Sequence, residues 1–134
     1  MKKLKIAKQR GYGLVAKVKR IKNRSYGNKM KQKDYEIAKK LKERLSEVVH
    51  LIDFRVFGSR ARGSEDEYSD MDVFIEVESL NKKLKEKISE TIWEVGFENF
   101  IVISPLIFTK EEIENSPLRS SPIVKNIREE GVVV

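Results

Sequence analysis

Cysteine is absent from all 134 residues, which excludes disulfides and thiolate metal sites. Histidine occurs once, as His50, with no partner at ligand spacing, so it reads as structural. No apolar run approaches the roughly 18 residues of a membrane span, and the basic N-terminus lacks the apolar core of a signal peptide. A cytoplasmic location is the default expectation, with no membrane partner. The Walker A pattern is missing too, so this is not a P-loop enzyme. Acidic residues are absent from residues 1–33, which carry 13 Lys/Arg, while residues 34–134 hold 15 basic against 21 acidic residues. The formal charge of +7 therefore hides a domain of net −6. A basic domain face for gripping nucleic acid is not on offer. The length supports one domain with a real core but not a catalytic domain joined to a substantial second one.

What the chain does contain is concentrated in Val56-Phe57-Gly58-Ser59-Arg60-Ala61-Arg62-Gly63 and, after a polar spacer, Ser69-Asp70-Met71-Asp72-Val73-Phe74-Ile75-Glu76-Val77. These residues predict a strand, a tight glycine turn, a short polar segment and a second strand over residues 70–77. In that second strand Asp70, Asp72, Phe74 and Glu76 alternate with Met71, Val73, Ile75 and Val77, so a two-residue period gathers the carboxylates on one face. The opposite face is wholly apolar. Two carboxylates at i and i+2 repel, and a hard divalent cation relieves this by taking oxygen ligands from both. Asp70 and Asp72 are thus candidate magnesium ligands. A solvated acidic hairpin would explain the turn but not Asp inside a strand, where it is disfavoured. Gly58 lets backbone N–H groups approach a phosphate, and the Ser59 hydroxyl adds a donor. Magnesium beside a phosphate cradle is the apparatus of phosphoryl or nucleotidyl transfer.

Gly58-Ser59, a spacer of about ten residues, and Asp70-Met71-Asp72 between two apolar strands form a specific combination, although each part alone means little. The arrangement resembles the DNA polymerase beta nucleotidyltransferase superfamily. The Arg60-Ala61-Arg62-Gly63 continuation and the Ser before the first Asp look most like its small, single-domain minimal nucleotidyltransferases. The resemblance implies a small α/β (α+β) fold, a mixed twisted sheet with packed helices. It also implies transfer of a nucleoside monophosphate, AMP from ATP, to a hydroxyl of a protein or RNA, with Mg2+ as cofactor. In that reading Asp70 and Asp72 bind the metal and carry catalysis, and Gly58, Ser59 and Arg62 bind the nucleotide. Arg60 and Arg62 are both candidates to reach the triphosphate, because guanidinium forks suit phosphate oxygens, and one of them could instead pair with Glu65 or Asp66; Arg62 is favoured as the functional one. Minimal members also resemble the antitoxin half of modules whose toxin is a HEPN ribonuclease. The alternative function is therefore a binding module that neutralises a HEPN-type partner. A chain this short has no acceptor domain of its own, so a partner or a second copy in a homo-oligomer is expected to supply one.

The remaining elements follow from periodicity. Residues 1–33 read as a basic, flexible arm with three competing explanations: a nucleic-acid tether, a partner-docking segment, or upstream codons with Met30 as the true start. The nucleotidyltransferase domain is assigned to residues 34–134. Asp34 is a plausible N-cap for an amphipathic helix over residues 34–49, and Leu80, Leu84, Ile88, Ile92 and Val95 mark a second over 80–95, stopped by Gly96. Trp93 is assigned to packing. Phe100 to Ile103, apolar on both faces, predicts a third strand interior to the sheet and limited by Pro105. That strand carries no acid, whereas active members of the superfamily typically place a third carboxylate there; Glu98 at its edge is the nearest. Thr109-Lys110-Glu111-Glu112 forms a capping box, and Ser121-Pro122 opens a last helix with Ile123, Val124 and Ile127 facing inward. Val132 to Val134 is a final strand or a partner contact.

Overall fold

Strands β1, Leu51–Phe57, and β2, Met71–Val77, form the antiparallel pair that the alternation predicts, with Arg55 opposite Phe74 and Phe57 opposite Asp72. The computed structural model describes residues 29–134 of the chain. The expectations for the arm through residue 28 lie outside the described residues. In order, the elements are α1 (Gln32–Ser46), β1, α2 (Gly58–Arg62), β2, α3 (Lys82–Glu98), β3 (Ile103–Thr109), α4 (Lys110–Asn115), a 3-10 turn (Pro117–Ser120), α5 (Pro122–Glu130) and β4 (Val132–Val133). The sheet order is β3-β2-β1-β4, with β2 and β3 parallel and the other pairs antiparallel. This is the mixed α/β architecture expected. No helix among the described residues is long and apolar enough to cross a membrane.

β2 is the central strand of the core. Met71, Val73, Ile75 and Val77 are all fully buried, together with Leu41 and Leu45 of α1 and Ile88 and Val95 of α3. Burying each such side chain is worth about 1.5–3 kcal/mol, so this one strand anchors the domain. The other face of β2 is not left open to solvent. Phe74 is fully buried in a second cluster with Ile113 of α4 and Val124 and Ile127 of α5. Glu76 is also buried, and Arg128 of α5 donates to it at 2.8 Å while accepting at its own carbonyl from Arg55 at 2.7 Å. Glu76 therefore belongs to the clamp that seats α5, not to a row of free carboxylates.

Several boundaries differ from expectation. α1 begins at Gln32, with Lys31 at the N-cap, so Asp34 lies in the first turn and is buried, not capping. Gly96 does not stop α3, which runs on to Glu98. A Cβ at Gly96 would stand 2.7 Å from the Ile101 carbonyl oxygen, so the glycine serves the close approach of the chain returning from the helix. That return reshapes the third strand. Phe100 is 94% exposed at φ 55, and β3 starts only at Ile103. Pro105 lies within β3, because an edge strand tolerates a residue with no N–H to give. Trp93 is 65% exposed and stacks on Phe97 at 5.0 Å. Ile123 faces out as well, at 52% exposure, while Val124 and Ile127 are buried as predicted. The Thr109–Glu112 capping box forms, Pro122 opens α5, and Val132–Val133 joins the sheet against β1.

Candidate active site

The β1–β2 pairing fixes the site. Phe57 ends β1 opposite Asp72, and Gly58 then turns the chain into α2, so the turn lies against the first residues of β2. Gly58 has φ 77, a conformation open to glycine and costly to other residues. A Cβ there would fall 2.4 Å from Asp72 Oδ2. Two independent constraints thus favour glycine, the backbone conformation and the nearness of the backbone to the Asp72 carboxylate. Gly58-Ser59 is the opening of a short helix, a tighter structure than a free turn.

Gly63, at φ 72, ends α2, and the Ser64 N–H donates back to the Ser59 carbonyl at 3.0 Å. The polar spacer is then folded by Asp66 and Ser69. The Tyr68 N–H donates to Asp66 Oδ1 at 2.8 Å, and the Asp66 N–H donates to Ser69 Oγ at 3.1 Å. The serine before the first Asp is thus a turn-former that delivers Asp70 to its position one residue ahead of β2.

Arg60 and Arg62 separate sharply. Arg60 is buried, pairs with Asp34 Oδ1 at 2.8 Å and donates from Nε to the Ser69 carbonyl at 3.0 Å. It ties α2 and the spacer to α1. Arg62 is exposed beside Asp72 and is available to a ligand. Around Arg60 a second carboxylate crowds in: Glu65, itself nearly buried, pairs with Lys31 at 2.8 Å. Burial pushes the Asp34 carboxyl up, Arg60 opposes the rise and Glu65 adds to it. Burial raises Glu65 too, but the Lys31 and backbone hydrogen bonds and the charges of Lys31 and Arg60 together outweigh it and hold that carboxyl below its ordinary value.

Asp72 is half-buried and Asp70 exposed. Burial raises the Asp72 carboxyl above the ordinary carboxylate range, Asp70 raises it further and Arg62 partly offsets both. A carboxylate that is desolvated and repelled in this way favours a cation, and magnesium suits it, since that ion is commonly held by one or two carboxylates plus substrate phosphates and water. The donor set fits. Among the described residues no cluster of three or more His, Cys, Asp or Glu forms. The strand beside Asp72 explains why: Ser104 of β3 is its register partner, followed on the same face by Leu106 and Phe108. Glu98 is far from this role, because it ends α3 and grips Arg44 of α1 through two hydrogen bonds of 2.8 and 3.1 Å. The sequence reading missed the buried Asp34–Arg60 pair, whose only signal was an aspartate in a helical first turn.

A family model described as "Nucleotidyltransferase domain" matches residues 35–134. A protein of Methanocaldococcus jannaschii that carries the provisional name protein adenylyltransferase is 36% identical over 88 residues, covering 60% of this chain and 83% of its own. A solved structure from Sulfolobus solfataricus, provisionally named a nucleotidyltransferase, aligns at 18% identity and a TM-score of 0.43, over 69% of this chain and 81% of its own.

Proposed function

The chain belongs to the nucleotidyltransferase-domain family, and from that premise we propose that it transfers a nucleoside monophosphate, AMP from ATP, to a hydroxyl of a protein or RNA acceptor. The observation that carries the proposal is the approach of Gly58 to Asp72, which joins a side-chain-free backbone turn to a desolvated carboxylate. In this reading Gly58 and Ser59 hold the triphosphate, and Arg62 adds a charge-assisted contact. Asp70 and Asp72 hold magnesium, which when bound neutralises the triphosphate and orients it for in-line displacement. The acceptor oxygen forms its bond to the α-phosphorus as the bond to pyrophosphate breaks, and the hydroxyl proton leaves to solvent. Positioning and charge neutralisation supply most of the rate in such chemistry. The acceptor being a protein is favoured by the name of the M. jannaschii relative.

A second reading draws on the Ser104, Leu106 and Phe108 face of β3. With no carboxylate there, a weak site combined with neutralisation of a HEPN-type partner by binding is the alternative, and the partner would then be the acceptor or the target. The experiment is incubation with α-labelled ATP and magnesium, with and without a co-purifying partner, for the wild type and an Asp70→Asn/Asp72→Asn variant. Label transferred by the wild type alone supports the enzyme. No transfer despite tight partner binding supports the binding module.

A further inference from the structure

A small cleft of about 180 Å³ lies immediately beside the proposed phosphate cradle and is assigned no role so far. Gly58 and Arg62 form one wall, Phe57 contributes an apolar surface, and Ile123, Asn126 and Glu130 of α5 form the other wall. These three residues recur at i, i+3 and i+7, so they share one stripe of the helix. Ile123 on that stripe is 52% exposed although its neighbours Val124 and Ile127 are buried, and the cleft is what it faces. Three larger grooves, of about 530, 400 and 340 Å³, contain none of Gly58, Ser59, Arg62, Asp70 or Asp72. A nucleotide whose phosphates rest on Gly58 must direct its nucleoside to a neighbouring surface. The cleft is smaller than the roughly 300–1,000 Å³ of sites that enclose a whole ligand, which suits a ring system and not a complete nucleotide.

Resting on the nucleotidyltransferase reading above, we infer that this cleft receives the nucleobase of the bound triphosphate, with Ile123 as its apolar face and Asn126 and Glu130 as its readers. The chemistry selects a base with an exocyclic amino group. A carboxamide matches adenine by accepting from N6 and donating to N7, and a carboxylate can only accept, so it also requires an N–H. Adenine meets both demands, whereas hypoxanthine offers no exocyclic amine.

The test is calorimetric titration with magnesium-ATP, magnesium-ITP and magnesium-tripolyphosphate, which separates the base from the phosphates. The wild type should bind ATP about tenfold or more tightly than either ITP or tripolyphosphate. Asn126→Ala and Ile123→Asp should erase most of that advantage while leaving tripolyphosphate affinity unchanged, and Lys125→Ala on the solvent side of the same helix should change nothing. All three positions are exposed, so circular dichroism and melting should match the wild type. Equal affinity for ATP and tripolyphosphate would overturn the inference and leave the cradle intact. An ATP advantage unaffected by the two variants would also overturn it, placing the base elsewhere and making the cleft an acceptor groove. Failure to bind any triphosphate would remove the cradle itself, and the inference with it.

Discussion

Replacing Gly58 with alanine tests the geometry of the site through stability alone. The backbone at φ 77 would impose about 1–2 kcal/mol on any L-residue. The new Cβ would stand 2.4 Å from Asp72 Oδ2, 3.4 Å from Cγ and 3.6 Å from Cβ. At the first distance the Asp72 carboxylate must shift from its place against the turn, and overpacking of this kind costs up to about 1–3 kcal/mol. Gly58→Ala should therefore destabilise the wild type by about 2–5 kcal/mol. In an Asp72→Ala background the oxygens are gone and the remaining Cβ contact is ordinary. There the same change should cost only the backbone share, about 1–2 kcal/mol, leaving a coupling of about 1–3 kcal/mol between the two positions. Urea unfolding of the four proteins, followed by circular dichroism, measures it. Equal costs in both backgrounds, within about 0.5 kcal/mol, would refute the contact and with it the argument that Gly58 is shaped by Asp72.

Arg60→Met strands Asp34 at 2% exposure and should cost about 3–5 kcal/mol in urea unfolding, whereas exposed Arg62→Ala should cost less than about 0.5 kcal/mol yet weaken ATP binding in calorimetry. Comparable destabilisation by both would contradict the division of roles. The Asp34 carboxyl is raised from its ordinary 3.8, chiefly by burial. Its contribution to stability is therefore complete below 3.8 and declines as pH rises through the folded-state value. The wild type should lose stability relative to Asp34→Asn across that window, and parallel urea midpoints from about pH 3 to about pH 7 would count against the assignment. Ser104→Asp sets a third carboxylate beside Asp72 and should raise transfer from labelled ATP by about tenfold or more, a gain whose absence would argue that the base comes from elsewhere.

Much of the site is legible in the sequence because its signals are local. The apolar alternation of Met71, Val73, Ile75 and Val77 sets the register of β2, and the glycine before Ser59 marks the turn that meets it. What escaped depends on contacts between distant residues. Phe100 to Ile103 looks like a strand by hydrophobicity, but the packing of Gly96 against Ile101 forces a reversal, and β3 forms three residues later with its proline on an edge. Local spacing also cannot show that Asp34 meets Arg60, 26 residues away, or that Glu76 is claimed by Arg128 on the last helix. Trp93 and Ile123 occupy apolar-looking helical positions whose outward orientation is decided by which stripe the sheet covers.

Gly58, Ser59, Asp70 and Asp72 make up the one metal-dependent nucleotide site proposed for this domain. Calorimetric titration of ATP in magnesium and in EDTA, with the wild type and Asp72→Asn, addresses it most directly. Binding that needs both magnesium and Asp72 is the predicted result. ATP binding that persists unchanged in EDTA or in the variant would contradict the claim.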